Sequence, residues 1–191
     1  MNNTNIGLAS YAKSRALVGR LQIKPDHLIN LYKTNKSGQV ITRKKIDTIT
    51  GVYHPGIVIG EDDFGQTWVA HNHYEHNRPV IQPLQEFSKG VQTLPDPRKV
   101  IFSNEAVVSR ALNEVNSQKQ YNKVNYNCQT FVNVVTRNEK ASESVDRIGN
   151  NLLFFGLLAS ILGLTTGSKH LTRLGVGIAV LGAGGKALSR I

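Results

Sequence analysis

The chain has 191 residues, enough for one domain of ordinary size plus an appendage and too few for two full domains. Its 23 Lys and Arg residues against 13 Asp and Glu residues give a formal net charge of +10, which favours anionic partners such as phospholipid headgroups or nucleic acid. A single cysteine excludes an intramolecular disulfide, and the N-terminal residues contain no apolar run of signal-peptide length. We therefore expect a reducing, cytosol-facing location.

Residues 1–24 are predicted to be an N-terminal extension, and residues 25–140 to form one domain. Three short β-branched or aromatic runs in this domain, GVYHPGIVIG, QTWVAH and RPVIQP, are separated by Gly, Pro and Asp, which is typical of antiparallel strands. The period then changes to that of a helix in SNEAVVSRALNEVNSQ, where Ser103 or Asn104 is placed to act as the N-cap. Strands followed by helices predict the α+β class.

The next predicted helix contains the only cysteine of the chain. In NYNCQTFVNVV, four residues follow the spacing of one buried helical face: Cys128, Phe131, Val132 and Val135. If this helix begins at Asn127 or Cys128, the thiol lies at a helix N-terminus, where the macrodipole and the N–H groups favour a thiolate and an oxyanion. The same spacing suits a small core residue, so the pattern leaves both interpretations open.

A nucleophilic thiolate needs a base, and His54 in YHPGIVIG is the candidate. His71 in WVAHNH is the candidate for orienting the His54 imidazole. Alternation along a strand places His71 and His73 on one face, and Ala70 and Asn72 on the other. Ordinary surface histidines would show the same local pattern.

Two other kinds of site compete for these residues. The run HNHYEH (71–76) offers histidines and Glu75 as zinc ligands, but four ligands within six residues rarely converge on one ion, so we expect a polar strand end and no metal or cofactor. The basic runs TRKK (42–45) and KSRALVGR (13–20) suit nucleic acid, but they are short and lack interleaved aromatic residues. Because the same charges suit anionic lipid, we expect a phospholipid membrane as the partner and no nucleic acid.

The C-terminal part of the chain is apolar and basic. The polar sequence RNEKASESVDR indicates a linker at 141–147, followed by a membrane-associating segment at 148–191. Residues 148–168 carry no charge, and as a helix these 21 residues are about 30 Å long, the thickness of a bilayer core. The 12 uncharged residues 174–185 are short for a span, so they are predicted to lie at the interface or to form half of a hairpin.

Taken in chain order, these sequence features resemble those of the lecithin:retinol acyltransferase-like family of the NlpC/P60 superfamily, which has a circularly permuted papain-like fold. The resemblance spans residues 25–135 and includes PDHLINLYKT, YHPGIVIG, WVAH, PLQEFSKG, NEAVVSRAL and YNKVNYNCQTFVNVV. The family motif Asn-Cys-Glu-His-Phe-Val is matched at Asn127, Cys128, Phe131 and Val132. Gln129 and Thr130 replace its Glu-His pair, and Pro55 stands where an aromatic residue is common.

The resemblance implies a membrane-associated thiol enzyme, an acyltransferase or acyl hydrolase acting on lipid ester or amide bonds through a thioester. It implies Cys128 as the nucleophile, His54 as the general base and His71 as the third polar member. A cysteine peptidase or isopeptidase on the same fold is the alternative within the enzyme class. The alternative from another class is a non-enzymatic membrane-active protein, since Gly163 and Gly167 form a GxxxG that suits helix packing in lipid.

Overall fold

The structure is a computed structural model that describes residues 16–24, 27–44, 53–140 and 142–188. Within these ranges, seven strands form one antiparallel sheet in which β4 lies at the centre. The strands are β1 (Leu17–Lys24), β2 (His27–Tyr32), β3 (Val40–Lys44), β4 (Tyr53–Glu61), β5 (Thr67–His73), β6 (Arg78–Pro83) and β7 (Thr93–Pro95). The order is β1-β2-β4-β3-β7, while β5 pairs with the other side of β4 and β6 pairs with β5.

The described chain has five helices, of which the first lies between the sixth and seventh strands. They are α1 (Leu84–Ser88), α2 (Asn104–Asn116), α3 (Cys128–Arg137), α4 (Glu143–Thr165) and α5 (Lys169–Leu188). Ser103 is the N-cap of α2, because its side chain accepts a hydrogen bond from the amide of Ala106. The prediction of an α+β fold with an antiparallel sheet and an apolar C-terminal helix is therefore confirmed.

Residues 17–24 differ from the prediction of an N-terminal extension. They form β1, which pairs along its length with β2 from Leu17 opposite Tyr32 to Lys24 opposite His27. This pairing across the predicted boundary at residue 24 is a tertiary contact, and the local composition of either segment does not report it. Pro25, where the predicted domain begins, lies outside the described residues.

One face of the sheet and the helices α2 and α3 enclose the hydrophobic core. A large hydrophobic side chain stabilises the fold by roughly 1.5–3 kcal/mol when it is fully buried. The buried members of the core are Ile29, Leu31, Val40, Ile57, Ile59, Trp68 and Ala70 from the strands, and Val107, Val108, Ala111, Phe131, Val132 and Val135 from the helices.

The turn between β4 and β5 fixes the register of these two strands. The Asp62 carboxylate accepts hydrogen bonds from the amides of Phe64 and Gln66 through Oδ1, and from the Trp68 indole through Oδ2 at 3.0 Å. Asp62 is 4% exposed, so losing these partners would leave a buried charge unpaired. The resulting register places Ile57 opposite Ala70.

The two C-terminal helices pack against each other as an antiparallel hairpin, named here the α4–α5 hairpin (143–188). Glycines recur at seven-residue intervals on the facing sides of the helices, and a Cβ there would collide with the opposite backbone. A Cβ on Gly156, for example, would meet the backbone of Gly175 and Ala179. The helices therefore approach closely along a stripe of small residues, which is common for helix pairs in membranes.

The outer surface of this hairpin is apolar. The side chains of Phe154, Phe155, Leu164, Leu174 and Leu181 are each at least 60% exposed. In the described residues one helix, Val145–Thr165, is long and apolar enough to cross a membrane, with a mean hydropathy of 1.6. Of the two predictions for residues 174–185, the hairpin is confirmed. Helix α4 begins at Glu143, inside the segment predicted to be a linker.

Candidate active site

Two of the predicted catalytic residues are joined by a buried hydrogen bond. His54 is the second residue of β4, and its Nε2 lies 2.9 Å from Nδ1 of His71 on β5. His54 is 7% exposed and His71 is 1% exposed. The Phe87 ring of α1 packs against both imidazoles, with ring centroids 5.5 Å from His54 and 5.1 Å from His71. The two histidines are thus held together in an apolar environment.

Gln82 of β6 extends this hydrogen-bonded pair. Its Oε1 lies 2.8 Å from Nε2 of His71, and its Nε2 lies 3.3 Å from Nε2 of His76. Gln82 pairs with Val69 across β5 and β6, which places it beside His71 on the same face of the sheet. Gln82 could not be singled out from the sequence, because a lone glutamine in RPVIQP has no distinguishing local pattern.

Burial keeps His71 neutral. Desolvation lowers the pKa of His71 from 6.5 to about 3, and the positive charges of His73, Arg43 and His76 act in the same direction, while the hydrogen bond to Gln82 opposes the shift. Desolvation also lowers the pKa of His73. At neutral pH, His71 is therefore an uncharged hydrogen-bond partner of His54.

This shift predicts an acid-sensitive fold. Between pH 6.5 and about 3 the unfolded chain binds a proton at His71 that the folded chain does not, so the free energy of unfolding falls as the pH falls. The expected contribution to the slope is about 1.4 kcal/mol per pH unit. Denaturant titrations that follow the fluorescence of Trp68, the only tryptophan, measure it. His71→Asn is expected to lose this contribution, whereas His170→Asn in the hairpin retains it; equal slopes for the two variants would contradict the assignment.

Cys128 is the first residue of α3, as one of the two predicted helix starts requires. The Asn127 side chain caps the helix, since its Oδ1 accepts hydrogen bonds from the amides of Gln129 at 2.9 Å and Thr130 at 3.1 Å. Cys128 is 3% exposed. The cap uses the amides of the second and third helical residues, and it does not use the amide of Cys128 itself.

The start of α3 lies at the end of the sheet that carries His54. Asn72 of β5 donates a hydrogen bond of 2.7 Å to the carbonyl of Tyr126, directly before the cap residue Asn127. Because Ile57 is paired with Ala70, this part of β5 adjoins the first residues of β4. The helix start and His54 are therefore placed at the same end of the sheet.

The Cys128 helix and His54 lie on different faces of the sheet at this end. Phe131 of α3 packs in the core with Ile57 and Ala70. His54 and His71 alternate with those strand residues and lie on the side of Phe87. A path from the thiol to the His54 imidazole therefore passes around the start of β4 and not through the middle of the sheet.

Tyr121 is a partly buried tyrosine in the loop before α3. Desolvation raises its pKa to about 12, and the negative charges of the Cys128 thiolate and of Tyr74 add to the effect. Its backbone amide donates to the carbonyl of Asn77 at 2.8 Å, and its ring packs edge-on against Tyr74. A protonated phenol is thereby kept within electrostatic range of Cys128.

Gln129, which departs from the motif Asn-Cys-Glu-His-Phe-Val, forms a hydrogen bond at the start of the hairpin. Ser142, the N-cap of α4, is fully buried, and its Oγ donates to Oε1 of Gln129 at 3.2 Å and accepts from Nδ2 of Asn127 at 2.8 Å. Thr130 is also fully buried. The cap of the Cys128 helix and the cap of the hairpin are thus hydrogen-bonded to each other.

The remaining candidate residues are those considered for a zinc site and for a nucleic-acid site. No group of three His, Cys, Asp or Glu residues in the described ranges is arranged to hold a metal ion. In the TRKK run, Arg43 is buried and its guanidinium lies over Phe87 at 5.7 Å, so it does not form a surface patch. Lys45 of that run and residues 13–15 of the other basic run lie outside the described residues.

A scan against family models and a search of curated proteins found no match to the chain.

Proposed function

We propose that this protein is a membrane-associated thiol enzyme that transfers or hydrolyses acyl groups from lipid esters or amides. Cys128 is the nucleophile, His54 the general base and His71 the residue that orients the base. The observation that carries this proposal is the buried hydrogen bond between His54 and His71, formed at the end of the sheet where the Cys128 helix begins. Burying two histidines and bonding them to each other is costly to maintain without a role for the pair.

The reaction proceeds in two acyl-transfer steps. His54 accepts the proton of the Cys128 thiol, and the sulfur attacks the carbonyl carbon of the ester or amide. The tetrahedral intermediate collapses to a thioester, and His54 returns the proton to the departing alcohol or amine. Water or an acceptor hydroxyl or amine then loses a proton to His54, attacks the thioester and releases the thiol. No metal or organic cofactor takes part in these steps.

The oxyanion of each intermediate needs donors near Cys128. The Asn127 side chain accepts from the amides of Gln129 and Thr130, and we propose the amide of Cys128 as the backbone donor to the oxyanion. Tyr121 has a raised pKa and keeps its phenol proton, so it is the side chain we assign as a second donor. Removing one such donor typically lowers turnover by about 100- to 1000-fold.

The hairpin supports a lipid substrate. Ser142 joins the hairpin directly to the cap of the Cys128 helix, so insertion of the hairpin holds the helix start near the bilayer surface. Arg147 precedes the apolar part of α4 and Lys186 lies near the end of α5, where cations suit anionic headgroups. We propose that the catalytic domain faces the cytoplasm.

Intact-mass analysis tests the proposal. The full chain is incubated in one arm with vesicles of mixed phospholipids and in another with peptides, and an acyl adduct on Cys128 is expected only in the lipid arm. A peptidyl adduct would favour the peptidase alternative. Cys128→Ser is the matched control, because it keeps the size of the side chain and removes the thiol.

Alkylation gives a prediction that needs no substrate. Cys128 is expected to react with iodoacetamide faster than a free thiol near neutral pH, because the helix N-terminus and His54 both favour the thiolate. His54→Ala is expected to slow the reaction and move its pH dependence toward that of an ordinary thiol. Reaction only after denaturation, or an unchanged rate in His54→Ala, would show that the two residues do not act as a pair.

The apolar exterior of the hairpin favours one competing function, that of a non-enzymatic membrane-active protein. In that case the hairpin alone would carry the biological effect. Replacing Cys128 with Ala would then leave the effect intact, while deletion of residues 148–191 would remove it. Loss of the effect in Cys128→Ala supports the enzyme.

A further inference from the structure

Gln82 is the residue whose chemistry the proposed reaction has not yet used. An amide side chain has two different ends, since Oε1 only accepts hydrogen bonds and Nε2 only donates them. The oxygen lies 2.8 Å from Nε2 of His71, and the nitrogen lies 3.3 Å from Nε2 of His76. Because an amide nitrogen can only donate, the Gln82 nitrogen is the donor toward His76, and the amide oxygen is the end that faces His71.

The direction of this bond determines which nitrogen of His71 carries the proton. Because Oε1 of Gln82 can only accept, Nε2 of His71 must be the donor. A neutral imidazole has one N–H group, so Nδ1 of His71 is then a bare acceptor. Burial keeps His71 in this neutral form.

The same hydrogen-bond rule determines the tautomer of His54. Nδ1 of His71 lies 2.9 Å from Nε2 of His54, and a bare nitrogen can form this bond only if His54 donates. A neutral His54 that carries its proton on Nε2 has a lone pair on Nδ1. That nitrogen is the one through which His54 accepts a proton as a base.

We infer that Gln82 is a positioning residue that sets the tautomers of both His71 and His54, so that Nδ1 of His54 is the basic nitrogen. Without the amide oxygen, His71 is free to carry its proton on Nδ1 and to donate to Nε2 of His54. His54 would then carry its own proton on Nδ1, and the base would be lost although both rings remained in place. This inference rests on the proposed function for its catalytic meaning, but the tautomers are measurable without any substrate.

Three variants separate this role from simple packing. Gln82→Leu removes the acceptor at nearly the same volume, whereas Gln82→Glu keeps an oxygen acceptor for Nε2 of His71. Gln85→Leu is the matched control, because Gln85 lies three residues away on α1 with an exposed side chain. Fluorescence of the buried Trp68 shows that each variant has folded.

The primary readout is the long-range ¹⁵N–¹H spectrum of the imidazoles of the full chain in detergent. The six histidines of the chain make assignment by single substitution practical. In the unsubstituted protein, Gln82→Glu and Gln85→Leu, we expect the proton on Nε2 of both His71 and His54. In Gln82→Leu we expect a mixture of tautomers at both rings. Unchanged tautomers in a folded Gln82→Leu would overturn the inference.

Kinetics supply the second readout. Gln82→Leu is expected to lower kcat about tenfold, the order of one hydrogen bond's net contribution, with KM unchanged and with recovery in Gln82→Glu. Equal losses in the Leu and Glu variants would show a structural role and would overturn the inference. If the tautomers shift as expected but the unsubstituted protein forms no acyl adduct, the proposed function fails while the tautomer assignment stands.

Discussion

Replacing His54 with Ala is expected to lower acyl turnover by at least about two orders of magnitude while leaving the fold intact, because a positioned base contributes about 100- to 10,000-fold. The loss should appear in kcat more than in KM, since the base acts in the transition state and does not bind the substrate. Steady-state rates on dispersed short-chain esters measure the effect, and fluorescence of Trp68 confirms folding.

His71 and His73 provide the matched comparison. His71→Asn should cost less than His54→Ala, because orienting a base is a weaker role than accepting the proton. His73 is half-buried, and its Nδ1 accepts from the amide of Glu75 in the β5–β6 turn, so His73→Ala should leave turnover nearly unchanged. Equal losses at His71 and His73 would contradict the triad and favour a metal-like cluster.

The hairpin is expected to hold the protein on membranes through apolar contacts. The full chain should sediment with vesicles, stay bound at about 1 M salt, where the Debye length is about 3 Å, and be released by detergent. A chain that ends at Arg147 keeps Ser142 and its bonds to the Cys128 helix, and it should remain in the supernatant. Release of the full chain by salt alone would show that the attachment is electrostatic.

A single substitution tests whether the hairpin surface enters the hydrocarbon. Leu157 lies near the middle of α4 and is 52% exposed, so Leu157→Lys places a charge where lipid is expected. A central lysine costs about 3 kcal/mol on insertion scales, which corresponds to roughly 100-fold weaker vesicle binding. Leu28→Lys on β2, where the side chain is 60% exposed, is the control and should bind as the unsubstituted chain does. Equal binding by both variants would contradict insertion.

Much of the site was predictable because its signals are local. The Cys128 helix start followed from helical spacing, and the structure shows Asn127 as its N-cap. His54 and His71 were each recognisable on a short strand run. Their pairing was expected from the need of a base for an orienting partner and from the family resemblance, since no local pattern states which residues of two strands lie side by side.

The parts that were missed depend on contacts between distant segments. Gln82 lies beside His71 because β5 pairs with β6, and Tyr121 packs against Tyr74 from the loop before α3. β1 is part of the sheet only because it pairs with β2. Ser142 lies in the segment predicted to be a polar linker. Its side chain is buried and forms hydrogen bonds with Asn127 and Gln129, so it connects the hairpin to the Cys128 helix.

The sequence by itself determined the α+β class, the antiparallel strands, the start of α3 and an apolar segment of membrane length, because periodicity, capping residues and the length of an uncharged run act within a few residues of each other. Only the tertiary structure decided that residues 174–185 form half of a hairpin, that His54 and His71 are hydrogen-bonded to each other, and that Gln82 is the next hydrogen-bond partner of His71. The physical reason is that strand register and the close approach of helices depend on both partners at once, and neither partner alone carries the information.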